Sequence, residues 1–471
     1  MAGSTGNNTD DEPLTPAGRL FVRPELDTII HCVIGAKLPL DIEAIKETIK
    51  NSLMVKHPRF RSLLVRDKHG VEHWRRTELD VDRHIIVVND LEAPDGDGDI
   101  ERVVNDYVAG LSVSTPLAAD KPLWEVHLLM RQRSAVLRIH HALGDGISLM
   151  SMFLASCRKA NDPTAAPTMG VGGAAGKSRQ GLAGIGGKNW GEAFVGVLKI
   201  VWFTLVYCLE FLFRCLFIRD RETVFSGGDG VELWPRKLAT AKFLIEDMKL
   251  VKKAVGNATI NDVLLGVISS GLSRYLDHRS PKALQDGLQV TGVALVNLRD
   301  QSGLQDVSEL MKPKSGTRWG NRFGIILIPI CYHKGVSDPL LYVKKAKAMI
   351  DKKKRSLEAY FSYWVGHLIL SLLGTKAAYV LNYRVLCNTT FTISNVVGPQ
   401  EEITLVGNPV TFLRVNTSSI PHALTMHMVS YAGRADMQIL VAKDLIPDPE
   451  FLAKCFEDSL LAMKQAAAAA V

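Results

Sequence analysis

Strand-like and helix-like stretches alternate through both halves of this 471-residue chain, which predicts an α/β (α+β) protein of two lobes with a site between them. Three observations carry that prediction. The chain is too long for one ordinary hydrophobic core. Apolar runs of strand period interleave with runs of helix period before residue 160 and again after residue 230. Between the two halves lie a stretch of small residues and then the most apolar segment of the sequence.

Taken in order, residues 1–12 are polar and acidic and read as a disordered tail, without the basic start and apolar core of a cleavable signal peptide. A first lobe is expected over 13–160. Thr28–Gly35 reads as a strand. Asp41–Leu53 reads as a helix with Asp41 as its cap, broken by His57-Pro58. Ser62–Arg66 and His84–Val88 are strand-like, and Glu101–Ser112 is helical. Glu125–Met130 and Ala135–His140 form a hairpin about a polar turn. That hairpin ends at His140-His141-Ala142-Leu143-Gly144-Asp145-Gly146, after which Ile147–Arg158 reads as a helix that Asp145 can cap.

Residues 161–192 are rich in Gly, Ala, Ser and Pro and read as a flexible linker. Residues 193–218 follow as an apolar segment. As a helix these roughly 26 residues would extend ~39 Å, against the ~20 residues a bilayer crossing needs. Lys199, Glu210 and Arg214 would each cost about 2.5–3.5 kcal/mol at mid-bilayer. A spanning or dipping helix, an interfacial anchor and a helix buried in the second lobe all fit. The glycine-rich approach favours a membrane-associated anchor.

The second lobe is expected over 230–471. Its strands are Leu238–Ile245, Gln289–Asn297, Phe323–Tyr332 and Phe391–Val397, with a hairpin of Thr425–Tyr431 and Asp436–Ala442. Its helices are Glu246–Val255, Val263–Tyr275, the basic Pro339–Tyr360 and the closing Pro449–Ala468. Phe361–Leu373 is a further apolar run.

Composition narrows the function. Hydrophobic residues make up 47% and mean hydropathy is +0.08, rich for a fully water-soluble protein. A net charge of +7 fits work beside anionic lipid or an anionic cofactor, and no aromatic-plus-basic motif points to nucleic acid. The seven cysteines are scattered without a Cys-x-x-Cys pair, so neither a zinc site nor a disulfide framework is indicated, and a reduced, cytosol-facing setting is the simplest reading.

The paired histidines with Asp145 admit three readings. A metal site needs three or four ligands, and no partner cluster stands elsewhere in the sequence. A structural reading makes the stretch a strand end with a capping Asp and turn glycines. The third makes one histidine a general base, because imidazole titrates near neutral pH. Successive strand residues face opposite ways, so His140 and His141 cannot both aim at one spot.

His140-His141-Ala142-Leu143-Gly144-Asp145-Gly146 matches the His-His-x-x-x-Asp-Gly signature of the CoA-dependent acyltransferase superfamily. Pro122-Leu123-Trp124 ahead of it, and Asn261-Asp262-Val263, Asn297-Leu298-Arg299, Trp319-Gly320-Asn321 and Ser394-Asn395-Val396-Val397-Gly398-Pro399 after it, stand in an order that resembles the plant-type wax ester synthase/diacylglycerol acyltransferase family. The resemblance runs from about Pro13 to the end of the chain. It implies two chloramphenicol-acetyltransferase-like lobes with the active site in a channel between them. It implies an O-acyltransferase that joins an acyl-CoA to a fatty alcohol or to diacylglycerol, with acyl-CoA as co-substrate, membrane lipid as a partner, no permanent cofactor and no metal. It places such an enzyme at the endoplasmic reticulum membrane, with its lobes facing the cytosol, or at another membrane such as the plasma membrane. His141 is then the general base, His140 and Asp145 mainly hold the loop, and Gly146 serves the turn. Asn261 and Asn395 are candidate donors to the oxyanion, with a helix cap and a turn as their plain structural alternatives. The basic residues Lys344 to Arg355 are expected to meet CoA phosphates or anionic headgroups, or to form a solvated face. A soluble acyltransferase for a small alcohol or amine, which would carry an Asp-Phe-Gly-Trp-Gly motif not found here, and a non-catalytic lipid-binding relative are the alternatives.

Overall fold

The computed structural model describes residues 11–92, 99–168, 190–280, 284–299, 319, 321–418 and 420–470. Most of the expected tail and residues 169–189 of the expected linker lie outside these.

A small sheet joins β1 (Glu12–Pro13), β4 (Glu72–Arg76) and β3 (Ser62–Arg66). Glu12 was expected in the tail. It pairs with Trp74 instead, and its carboxylate accepts from Arg59 Nη2 at 2.6 Å.

The first lobe is built on a sheet ordered β5 (Ile85–Val88), β6 (Trp124–Leu129), β7 (Ser134–His140), β2 (Ile29–Ala36), β14 (Asn408–Thr417), β13 (Ile403–Leu405), β8 (Cys157–Lys159). α1 (Pro16–Phe21), α2 (Ile42–Asn51), α3 (Leu53–Lys56), α4 (Ile100–Ser114) and α5 (Gly146–Ala155) accompany it. Asp41 caps α2 and Asp145 caps α5, each accepting from a backbone N–H three residues on.

The second lobe's sheet runs β11 (Phe323–Cys331), β10 (Gln289–Asn297), β12 (Phe391–Val397), β15 (Leu424–Tyr431), β16 (Arg434–Ala442), β9 (Arg236–Leu244). α7 (Ile245–Ala254), α8 (Ile260–Arg279), α9 (Leu340–Lys353) and α11 (Pro449–Ala469) share its largest apolar core, with Phe391, Met426, Ile439 and Phe456 at the centre.

The lobes are not divided in sequence as expected. Residues 403–417 leave the second lobe and pair with β2 and β8 of the first. This long-range pairing buries both faces of β14: Val410 and Leu413 meet Ile34 and Met150, while Phe412 packs with Val33 and Leu440. One chain segment therefore stitches the two halves together.

The apolar segment forms α6 (Trp190–Leu216), which packs against α10 (Glu358–Cys387). The expected helix 339–360 ends early, at Lys353, and a new one starts at Glu358. A buried ion pair spans the break, where Lys353 Nζ donates to Glu358 Oε2 at 2.9 Å. α10 bends at Gly374, whose φ of 78° suits glycine. Its first turn is bound to β11, where Leu327 N donates to Glu358 Oε1 at 3.0 Å. Just past its far end, Thr390 N donates to Thr291 O of neighbouring β10 at 2.8 Å. Both ends are thus tied to adjacent strands, and the bend projects from one side of the body with Leu372 and Leu373 about 70% exposed.

Candidate active site

Each half of the protein contributes to the turn after β7. His141 N donates to Thr28 O at 2.8 Å, so the residue just before β2 fixes the backbone. From the second half, Asn321 Nδ2 donates to His141 O at 2.8 Å. That commits the amide nitrogen and leaves Asn321 Oδ1 as an acceptor, 3.0 Å from His141 Nδ1. Nδ1 therefore carries the proton, and the lone pair sits on Nε2. The ring stacks on Phe21 with centroids 4.2 Å apart and meets Phe323 edge-on at 6.2 Å. Burial holds the imidazole pKa down to about 4, so the ring is a neutral base at physiological pH.

His140 faces the other way. Its Nδ1 accepts from Ala142 N at 3.1 Å and its Nε2 donates to Asp27 Oδ1 at 2.9 Å. Both ring nitrogens are thus occupied, one within the turn and one by Asp27 ahead of β2, in keeping with strand alternation.

Asp145 Oδ1 accepts from Ser148 N at 3.1 Å as the cap of α5, and Oδ2 accepts from Arg299 Nη1 at 2.6 Å. Arg299 also donates to Ser148 Oγ, and Arg322 N approaches Asp145 Oδ2 at 3.3 Å. The carboxylate thus joins the turn to the residues after β10 and before β11. Trp319 Nε1 donates to Leu143 O at 2.8 Å and closes the same joint. Gly146 begins α5, where an added Cβ would lie 3.7 Å from Val396, so β12 flanks the turn.

Asn261 and Asn395 are brought together, but not to His141. Asn395 Nδ2 donates to Asn261 Oδ1 at 2.7 Å. Asn395 lies on the β12 face shared by Phe391 and Ile393, which pack beneath α8. Val396, on the other face, is the residue beside the turn. Neither amide hydrogen-bonds His141 among the described residues; each donor's role toward an oxyanion is a matter of the bound substrate. The plain alternatives do not apply: Thr259 and Asp262 form the capping box of α8, and Asn395 stands within a strand.

Several partners escaped the sequence reading. Asn321 and Arg299 lay inside recognisable motifs but carried no assigned role, while Asp27 and Phe21 had no local signal. Of the basic run, Lys353 is buried on Glu358, and Lys344 and Lys347 pair with Asp338 and Asp351. Among the described residues, no cluster of His, Cys, Asp and Glu could hold a metal ion.

A cavity of about 360 Å³ lies in the first lobe between α2, the β2–β7–β6 face, α5 and the β13–β14 turn. Ile34, Leu40, Ile45, Leu137, Leu149 and Met152 line it, and it begins one helical turn past Asp145.

Comparison with known proteins identifies the family and the fold. The family model described as wax ester synthase/diacylglycerol acyltransferase catalytic domain matches residues 30–205, and the WS/DGAT C-terminal domain matches 319–464. The chain is 40% identical to wax ester synthase/diacylglycerol acyltransferase 11 of Arabidopsis thaliana, over 97% of this chain and 95% of that one. It is 36% identical to number 5 of the same plant, over 97% and 94%. Among solved structures it resembles the wax ester synthase/diacylglycerol acyltransferase of Marinobacter aquaeolei VT8, at a TM-score of 0.59 and 18% identity over 97% of this chain and 100% of that one. The first condensation domain of the calcium-dependent antibiotic synthetase superposes at a TM-score of 0.56 and 15% identity, over 98% and 97%. These are two-lobed, chloramphenicol-acetyltransferase-like folds. The chain belongs to the wax ester synthase/diacylglycerol acyltransferase family of acyl-CoA-dependent O-acyltransferases.

Proposed function

We propose that this protein moves a long-chain acyl group from acyl-CoA to the hydroxyl of a fatty alcohol, of diacylglycerol, or of both, with His141 as general base. One observation carries the reading: a buried, neutral histidine whose Nδ1–H is held by Asn321, leaving Nε2 as the proton acceptor. The acceptor hydroxyl gives its proton to Nε2 as its oxygen bonds to the thioester carbon. Collapse breaks the C–S bond, and the proton passes to the departing CoA thiolate. While the ring is charged, Asn321 Oδ1 keeps its hydrogen bond and the Asp145 carboxylate favours the cation. His140, Asp145 and Gly146 shape the turn rather than touch the acyl group. No covalent acyl-enzyme is needed.

Lipid substrates are supported by two features. The first-lobe cavity is apolar and adjoins the catalytic turn, as an acyl chain requires. α6 and α10 are long and apolar, yet expose Phe194, Trp202, Leu205, Trp364, Leu372 and Leu373. So large an exposed apolar surface suits a bilayer better than water. α10 leaves and rejoins one sheet, and α6 is tied at its C-terminal end by Arg214 to Asp220 at 2.8 Å. Lys199 and Lys376 stand exposed on the two helices. These features favour a platform lying in one face of the membrane over a pair of crossings. The cytosolic face of the endoplasmic reticulum, where long-chain acyl-CoA meets diacylglycerol, is the setting we infer.

The test is direct. Purified protein receives labelled acyl-CoA with a fatty alcohol and diacylglycerol in competition, in liposomes, and the lipid products are separated. Labelled wax ester or triacylglycerol supports the reading, and binding of both lipids without product formation refutes it.

A further inference from the structure

Phe21 stands between the catalytic ring and the membrane-facing helices. It ends α1, and α1 packs against α10. Its ring stacks on His141 at 4.2 Å and approaches Phe323 at 6.1 Å. Phe323 opens β11, which in turn carries α10. An added Cβ on Gly324 would lie 2.0 Å from Ala359 O, so only glycine lets the helix approach this closely. Ser362 reinforces the contact, accepting from Ile325 N at 2.8 Å and donating to Ile325 O at 2.9 Å. A continuous path of contact therefore runs from the exposed apolar bend of α10, through β11 and α1, to the face of His141. Both rings are half-buried. Nothing in proton transfer requires an aromatic stack on the base. Phenyl rings at this spot do two other things: they keep water from the thioester, and they favour the alkyl chain of an arriving lipid.

We propose that Phe21 and Phe323 form an aromatic gate between His141 and α10, through which the hydroxyl of a membrane-resident acceptor reaches the base while water is kept out. This rests on the acyl-transfer reading above and deepens it. Phe21 is a specificity-determining residue, deciding between a lipid hydroxyl and water as nucleophile. When water enters, its oxygen bonds to the thioester carbon, the C–S bond breaks, and the proton taken by His141 passes to the CoA thiolate. The products are then a free fatty acid and CoA rather than an ester.

The experiment measures how label from acyl-CoA divides between ester and free fatty acid. Full-length wild type, Phe21→Ala, Phe21→Leu and Phe323→Ala are compared in liposomes containing hexadecanol and diacylglycerol, and with a short water-soluble alcohol. Phe21→Ala should raise the ratio of hydrolysis to transfer on the order of tenfold and erase the preference for the long-chain acceptor. Phe21→Leu should retain most of that preference. Phe323→Ala should shift both in the same direction by less, and it keeps the test decisive if Phe21→Ala does not fold. Adding His141→Ala to the gate variants should abolish hydrolysis along with transfer. Unchanged product ratios in gate variants that still transfer overturn the gate, as does hydrolysis that survives loss of His141. A wild type that makes no ester overturns the acyl-transfer reading itself, and the gate with it.

Discussion

Asn321 grips His141 at two points, accepting Nδ1–H on Oδ1 at 3.0 Å and donating from Nδ2 to the backbone carbonyl at 2.8 Å. The two residues are 180 positions apart, so the reactive tautomer is held in place only when the halves are assembled. Asn321→Ala removes the orienting acceptor and leaves the ring in place. Transfer should fall about 10- to 100-fold in kcat, as with other outer partners of a working histidine, while KM for acyl-CoA changes little. Asn321→Asp puts a carboxylate on Nδ1–H, favours the imidazolium, and should move the acidic limb of the pH–rate profile upward. A variant series that changes KM alone would show that Asn321 binds substrate instead.

Asp145 and Arg299 form a buried pair at 2.6 Å, with side chains about 10% and 5% exposed. Removing one partner strands the other without water, which typically costs 3–5 kcal/mol. Asp145→Ala also removes the cap of α5. Its main expected effect is therefore on stability: a clear fall in melting temperature, with residual folded enzyme still active. A double-mutant cycle with Arg299→Ala checks the pairing, since the double variant should lose much less than the sum of the singles.

Acid should act on the fold before it silences the base. Burial lowers His141 and His427 to about 4 and His31 and His57 to about 3, all from 6.5. A folded pKa below the unfolded one means the unfolded chain binds more protons in the window from about 6.5 down to 4 or 3. Stability is then unaffected above 6.5 and declines as pH falls through that window. The expected record is a melting temperature that drops below pH 6.5, while initial-rate kcat/KM stays flat until pH approaches 5. An acidic limb centred at 6.5 in protein that remains fully folded would mean that His141 is not held neutral by burial.

The exposed surface of α6 and α10 should govern membrane attachment separately from chemistry. Outright removal of α6 would open the small core where Phe211 and Cys215 meet Val293, Leu327 and Val385. Replacing Trp202, Leu205, Leu372 and Leu373 by Ser spares that core. Each such side chain gains about 1.5–3 kcal/mol on full burial in an apolar medium, so the fourfold variant should stop sedimenting with liposomes at high salt. It should keep turnover of a water-soluble alcohol. Liposome binding as tight as wild type would place the anchor elsewhere.

How much was legible in the sequence follows from the range of each interaction. The β6–β7 hairpin, its His-His-x-x-x-Asp-Gly turn and the Asp145 cap are local, and residues within one short stretch announce them. β14 was not read as a strand. Gly407 and Pro409 interrupt its start and a register shift follows Val410, while its partner β2 lies more than 370 residues earlier. The apolar run after Phe361 is visible, but the Lys353–Glu358 pair across the break before α10 is not, because a buried charge pair has the same spelling as an exposed one. Asn261 and Asn395 stand out by their motifs, and the fold joins them to each other. Alternation puts Asn395 on the face of Phe391 and Ile393 and Val396 on the other, but which of those faces meets the turn after β7 is set by packing between distant segments.

The first-lobe cavity gives a last prediction, on chain length. Met152 lines it from α5 with 3% of its surface exposed, and Leu149 lies one turn nearer the catalytic loop. If the acyl tail of the CoA thioester occupies this space, filling it at Met152 should shorten the preferred chain and leave the base untouched. Met152→Trp is expected to lower kcat/KM for palmitoyl-CoA about 10- to 200-fold relative to a short acyl-CoA, the range over which apolar pockets discriminate size. Initial rates across a chain-length series provide the measurement. The pH–rate profile should not move, because His141 keeps its contacts with Asn321 and Phe21. An equal loss at every chain length would mean that Trp disturbs α5, and with it the Asp145 cap, without touching an acyl pocket. Unchanged palmitoyl selectivity in a folded variant would assign the tail to another channel.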